Sequence, residues 1–171
     1  MKNRAINRAG FTLVEVLVVV AIMGTLAAIA LPSLMGSPFA HMKLKSTSME
    51  LYSTLQLCRS KAIGSNNQYG VRFNLSATPV TYNVVLRPGT SGAWTSDGSF
   101  ATKNIDGAVS VDNITVDAVN YTSGTTGVIR FEATGLASAA TIQLKSAANA
   151  ADKYSIAVTS STGRVKIQSG W

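Results

Sequence analysis

Gly10-Phe11-Thr12-Leu13-Val14-Glu15 opens the apolar run on which the reading of this chain turns. From Phe11 to Leu31 there are 21 residues and one charge, Glu15, and Pro32 closes the run. As a helix rising about 1.5 Å per residue the run is roughly 32 Å long, enough to cross a hydrocarbon core of about 30 Å. Ahead of it lies a short basic leader, and behind it a stretch with the composition of a soluble domain. A carboxylate inside a membrane-length apolar helix is costly, so Glu15 requires a physical reason.

The 171 residues suit one domain of modest core plus an anchor. The net charge is +7, but Lys2, Arg4 and Arg8 lie in the leader, and without them twelve basic residues face eight acidic ones. That mild excess permits an anionic partner without requiring one. Cys58 is the single cysteine and His41 the single histidine. No intrachain disulfide and no zinc cluster is available, and the pattern calls for no cofactor. His41, just beyond the apolar run, reads as a surface residue rather than as part of a triad.

Positive residues stay on the cytoplasmic side, which places the leader inside and translocates the domain. Three readings of residues 1–31 compete. A cleaved secretory signal finds an Ala-x-Ala site in Ala28-Ile29-Ala30, but the run exceeds the usual length of about 7 to 15 residues and contains a charge. A plain anchor fits the length, but Glu15 then costs about 2.5–3.5 kcal/mol at the bilayer centre and less near the interface. In a prepilin-type signal the cut falls before the run, after Gly10, and the run is kept. Phe11 then carries a free α-amine, and Glu15 sits in the first turns, where the helix dipole favours a negative charge. There it can also meet the α-amine of a neighbouring subunit. Such a pairing offsets desolvation that neither group offsets alone and marks the register of helix-on-helix assembly.

Arg8-Ala9-Gly10-Phe11-Thr12-Leu13-Val14-Glu15, with Val20-Ala21-Ile22-Met23-Gly24 and Leu26-Ala27-Ala28-Ile29-Ala30-Leu31-Pro32-Ser33, resembles the start of a type IV pilin or type II secretion pseudopilin. The resemblance implies processing by a membrane prepilin peptidase after Gly10, N-methylation of Phe11, and Glu15 as the assembly glutamate. It implies partners among other pilin or pseudopilin subunits, and a single-pass inner-membrane protein whose C-terminal domain is periplasmic before it enters a pilus or pseudopilus. Gly24 and Pro32 would allow the helix to bend or melt locally on assembly.

Beyond the run, Gly36, Ser37 and Pro38 predict a break or kink within Ser33–Met42. From about Lys43 to Ile63, Leu44, Leu51, Leu55, Cys58 and Ala62 fall on one stripe, which predicts an amphipathic helix docked on a sheet. Cys58 is then a small core residue. Gly64-Ser65-Asn66-Asn67 ends the helix. Strand-like runs follow at Tyr69–Leu75, Tyr82–Arg87, Ala108–Val111, Ile114–Val116, Val128–Glu132, Thr141–Lys145, Tyr154–Thr159 and Arg164–Gln168, separated by turn signals such as Pro88-Gly89 and Thr162-Gly163. Val71, Phe73 and Leu75 alternate with polar residues, as half-buried antiparallel strands do. The expected fold class is α+β: a long N-terminal hydrophobic helix continuing into an amphipathic helix packed on antiparallel sheets. The expected division is leader 1–10, membrane and filament-core helix 11–31, kink and amphipathic helix 32–63, and β-rich domain 64–171. In the irregular stretch Ser91–Lys103, Trp94 and Phe100 read as plugs over the core, with ligand stacking as the other reading.

Leu57–Ile63, Val71-Arg72-Phe73, Ile129-Arg130-Phe131 with Gly135, and Gly163–Ile167 resemble, in order and spacing, the FimT/GspH branch of minor pilins and minor pseudopilins. The resemblance implies a non-enzymatic subunit: a FimT-like minor type IV pilin that is built into or primes a pilus, with a GspH-like minor pseudopilin of type II secretion as the alternative. The acidic residues agree with a structural role, since Asp97, Asp106, Asp112 and Asp117 lie in or beside turns. In some FimT-like pilins a C-terminal Gly-Arg-x-Arg segment contacts DNA. Here the matching residues are Gly163, Arg164 and Lys166, where Lys keeps the charge but loses the bidentate fork. On a strand Arg164 and Lys166 share a face and could address extracellular DNA, with Trp171 stacking on a base. The alternative is an ordinary hairpin with a solvated basic face.

Overall fold

The computed structural model describes residues 12–34 and 37–171, and the side chains of residues 30–38 lie outside that description. Helix α1 runs Leu13–Leu34. Its start has a local cause. The Thr12 hydroxyl accepts the Glu15 backbone N–H at 3.2 Å, so Thr12-Leu13-Val14-Glu15 forms one half of a capping box. From Leu13 to Ile29 every side chain is exposed, including those of Leu13, Val16, Leu17, Val20, Ile22, Met23 and Leu26, so the helix has no buried stripe of its own. Counted over the described residues, no helix is long and apolar enough to cross a membrane. The backbone stays helical through Pro32 to Leu34, so the expected stop at Pro32 is displaced by two residues.

The second helix, α2, spans Ser37–Ser65 and begins six residues before the expected Lys43. Gly36-Ser37-Pro38 has the composition of a breaker, but Pro38 lies in the first helical turn. A proline costs little there because its missing N–H has no intrahelical partner to lose. The chain divides after Pro38 into two compact units, of which the second is Phe39–Trp171.

In that unit α2 buries Leu44, Leu51, Leu55, Cys58 and Ala62, the expected stripe. The helix ends as Asn66 turns left-handed (φ 55°), a conformation asparagine tolerates. The strands are β1 (Gln68–Asn74), β2 (Thr81–Arg87), β3 (Thr95–Ser96), β4 (Lys103–Asn104), β5 (Val109–Val116), β6 (Val119–Tyr121), β7 (Ile129–Phe131), β8 (Ala140–Ser146), β9 (Lys153–Thr159) and β10 (Arg164–Ser169). They form two antiparallel sheets. One has the order β3-β2-β1-β7 with β4 also on β2; the other has the order β10-β9-β8-β5-β6. The α2 stripe shares one core with Val71, Phe73, Ile129 and Phe131 of the first sheet and Ile114, Ile142, Leu144 and Ile156 of the second. The fold is α+β.

Three details depart from expectation. Ala108–Val111 and Ile114–Val116 are one strand, β5, whose pairing with β8 shifts between Val111 and Asn113. A bulge there interrupts the period-two pattern and makes one strand read as two. β6 follows a tight turn in which Asp117 (φ 48°) and Ala118 (φ 68°) are both left-handed, the geometry usually signalled by glycine. β3 and β4 have two residues each, too few to show a period.

Candidate functional site

Gly10 and Phe11 lie outside the described residues, as does the leader. Glu15 lies in the first turn of α1, and its exposed carboxylate makes no hydrogen bond or ion pair among the described residues. Its backbone is held by the Thr12 cap, so the helix start is secured locally without using the carboxylate.

The C-terminal candidates are brought together on the β9–β10 hairpin. Gly163 is left-handed (φ 58°) and donates its N–H to the Thr159 carbonyl at 2.8 Å. A Cβ at this position would stand 2.5 Å from the Gly135 carbonyl oxygen and 3.2 Å from Arg59 Nε, so glycine is required by conformation and by space. Arg59, on α2, donates from Nη2 to the Thr162 carbonyl at 3.2 Å and clamps the turn against the helix. In the sequence Arg59 stands off the apolar stripe of the helix, with nothing to signal this partner. Arg164 and Lys166 are both exposed on one face of β10, with Val165 buried between them. Trp171 is exposed, and Lys153 Nζ lies 3.9 Å from its ring centroid, covering one face of the indole.

The turn carboxylates each hold a neighbour. Asp97 is buried, which its turn-like sequence does not signal. Its Oδ1 accepts the Ser99 N–H at 2.9 Å, and its Oδ2 lies 3.6 Å from Lys61 Nζ. The Ser99 N–H foremost, and then the Lys61 ammonium, hold the Asp97 carboxyl below its ordinary range against the opposing effect of burial. Phe100 is partly buried against the core, as expected of a plug, and Lys61 Nζ lies 4.6 Å from its ring centroid, which ties the loop before β4 to α2. Asp106 accepts the Ala108 N–H at 2.9 Å and pairs with Lys43 at 2.9 Å, in that order of effect lowering its pKa. Asp112 pairs with Lys145, and Asp117 accepts from Ser138 and Ala139. Glu50 pairs with Lys103 at 2.6 Å and accepts the Tyr82 hydroxyl at 3.2 Å. That Lys103 hydrogen bond holds Glu50 low, while burial pushes the Tyr82 hydroxyl up. His41 lies 3.6 Å from Asp152 on the surface. Cys58 is buried as expected, and burial pushes its thiol up to about 12, away from thiolate chemistry. Arg87 packs over Trp94, its Cζ 5.0 Å from the ring centroid.

The comparisons with known proteins agree with this architecture. Residues 6–31 match the prokaryotic N-terminal methylation motif. No curated relative matches significantly by sequence. Among solved structures, the minor pseudopilin EpsH from the type 2 secretion system of Vibrio cholerae superposes with a TM-score of 0.57 at 13% identity, covering 74% of this chain and 97% of that one. The solution structure of E. coli GspH gives 0.57 at 12% identity, covering 76% and 90%. The type IV minor pilin FimU of Pseudomonas aeruginosa PAO1 gives 0.50 at 15% identity, covering 73% and 87%. At these identities the likeness is one of fold, and minor pseudopilins and a minor pilin share it. Residues 47–163, more than half of the chain, match the type II transport protein GspH family, and to that family the chain belongs.

Proposed function

We propose that this chain is a non-enzymatic filament subunit, a FimT-like minor type IV pilin. It is inserted in the bacterial inner membrane with its leader cytoplasmic, cut after Gly10 by prepilin peptidase, and N-methylated on Phe11. It is then built into a pilus, or primes one, through contacts with other pilin subunits. The observation that carries this reading is the methylation motif, residues 6–31, which takes in most of a helix whose described side chains from Leu13 to Ile29 are all exposed and which carries one carboxylate in its first turn. Such a helix gains its burial from lipid first and from neighbouring helices afterwards. The family match supports a second reading equally, a GspH-like minor pseudopilin of a type II secretion system.

Mass spectrometry of the mature protein should find N-methylated Phe11 at its N-terminus. An N-terminus at Leu31 would overturn the processing and support an ordinary secretory signal. Deleting the gene separates the two filaments: lost surface pili with normal protein secretion supports the minor pilin, and the converse supports the pseudopilin.

Contact with extracellular DNA is a finer reading, supported by the side-by-side exposure of Arg164 and Lys166 on the edge strand β10. Two charges neutralise few phosphates, so any binding gains from repeated display along a filament. In a gel-shift, Arg164→Ala with Lys166→Ala should weaken binding and flatten its salt dependence. Unchanged affinity and slope would sink this site.

A further inference from the structure

A cleft of about 260 Å³ opens at one end of the first sheet, where three turns distant in sequence converge. Asn67 lies in the α2–β1 connection and Gln68 opens β1, Thr90 follows β2, and Glu132 and Thr134 follow β7. The two amides are fixed in orientation by their partners. Asn67 Oδ1 accepts the Gly89 backbone N–H at 3.1 Å. Gln68 Oε1 accepts Arg87 Nε at 2.8 Å and a second guanidinium N–H of the same residue. Backbone N–H and guanidinium can only donate, so both acceptor atoms must be oxygens and neither amide can be flipped. Both NH₂ groups therefore point away from these contacts, and neither has an acceptor among the described residues. Gln68 is buried as a residue and lines the cleft together with Asn67.

The chemistry of the lining narrows the ligand. One carboxylate is present, Glu132, and its Oε1 already faces Arg130 Nε at 3.4 Å, so a divalent cation finds too few oxygen charges. Arg87 is committed to Gln68 and Trp94, so an anion finds no free positive charge in the cleft. The lining has apolar atoms, among them Ala133, but no large apolar side chain for a hydrophobic ligand to pack against. A peptide binding by strand addition needs a free sheet edge, whereas this cleft lies across strand ends. Two oriented amide donors, one carboxylate acceptor and two hydroxyls match a neutral ligand that both accepts and donates.

We propose that this cleft is a binding subsite for one ring of a neutral N-acetylated sugar. The Asn67 and Gln68 NH₂ groups serve the acetamido carbonyl and ring hydroxyls. Glu132 accepts from the acetamido N–H or a hydroxyl, and Thr90 and Thr134 close the hydroxyl shell. The volume lies below the roughly 300–1,000 Å³ typical of drug-sized pockets, in keeping with a single ring. Without an aromatic platform in the lining the affinity is set by hydrogen bonds alone, with a dissociation constant on the order of 1 mM.

The test is an NMR titration of the ¹⁵N-labelled full chain in detergent micelles with N-acetylglucosamine and its β-1,4-linked dimer, with glucose and an N-acetylated alanine amide as comparison probes. Expected are saturable shifts of the backbone amides at residues 66–68, 89–90 and 132–135, with glucose and the alanine amide about tenfold weaker or silent. Asn67→Asp and Gln68→Glu keep the oxygen that Gly89 or Arg87 requires and remove the free NH₂, so both variants fold with unchanged spectra elsewhere and lose about tenfold or more in affinity. No shifts at these positions, equal response to glucose or the alanine amide, or undiminished binding by both variants would each overturn the proposal.

Discussion

Gly70→Ala destabilises the globular unit by about 3 kcal/mol, at the upper end of overpacking penalties. Gly70 lies within β1 and is paired with Arg130 of β7. A Cβ there would stand 2.4 Å from Val128 Cγ1, 2.6 Å from the Ile129 carbonyl oxygen and 3.2 Å from Arg130 Cα. The valine methyl can rotate away, but the carbonyl and the Cα are backbone atoms. Relief requires β7 to move, and β7 has three residues and pairs with no strand but β1. Moving it disturbs the registered pairs Tyr69–Phe131 and Val71–Ile129, which carry four buried side chains of the core. Against a total stability of about 5–15 kcal/mol the loss is large. For a domain of this size it lowers the melting temperature by about 6–12 °C, readable by circular dichroism on the full chain. Gly98→Ala is the comparison, since a Cβ at Gly98 meets nothing within 4 Å and its φ is not in the left-handed region. An equal melting temperature for Gly70→Ala and Gly98→Ala would contradict the close approach of β1 and β7.

The parts of the fold legible in the sequence are those where one period persists. Leu44, Leu51, Leu55, Cys58 and Ala62 hold helical spacing along α2, and all are buried. Val71 and Phe73, or Ile142 and Leu144, alternate with polar neighbours, and the strands stand where that alternation stands. Legibility fails where local chemistry overrides the period. α1 ends at Leu34 and α2 starts at Ser37, within the stretch where a break is expected, but α2 starts ahead of Lys43 because Pro38 is tolerated in its first turn. Asp117-Ala118 makes a turn that glycine usually announces. Asp97 has the sequence of a turn residue, and the Asx contact to Ser99 is there, but its burial against Lys61 depends on a side chain of α2, far earlier in the chain. The site divides in the same way. The residues proposed for processing and assembly, Gly10-Phe11 and Glu15, stand in one contiguous motif that a single sequence window contains. The amide cleft is assembled from residues 67–68, 90 and 132–134, so no sequence window contains it.

Glu15→Ala leaves insertion into the membrane intact and removes the protein from filaments. Insertion is unharmed because the substitution deletes the single charge of α1, one that costs about 2.5–3.5 kcal/mol when a carboxylate lies deep in a bilayer. The helix start is also unharmed, because the Thr12 hydroxyl caps the backbone N–H of residue 15, which any side chain at that position retains. What is lost in the proposed filament is the counter-charge for the α-amine of Phe11 on a neighbouring subunit. Leaving one buried charge unpaired costs about 3–5 kcal/mol, or between about 10² and several times 10³ in the equilibrium for incorporation. Glu15→Gln keeps the size and a hydrogen-bonding carbonyl but not the charge, and should recover only part of the loss. Thr12→Ala separates the two roles of this turn. It removes the cap, which is worth about 1 kcal/mol, and leaves the carboxylate, so incorporation should fall far less than in Glu15→Ala. The measurement is the ratio of the subunit in sheared filaments to that in the inner-membrane fraction, by immunoblot. Wild-type incorporation of Glu15→Ala would reduce Glu15 to a residue favourable at a helix N-terminus and no more. Equal losses in Thr12→Ala and Glu15→Ala would assign the effect to capping. Only a loss that follows the charge, graded from Glu through Gln to Ala, supports the reading in which one carboxylate sets the register of an otherwise featureless apolar helix.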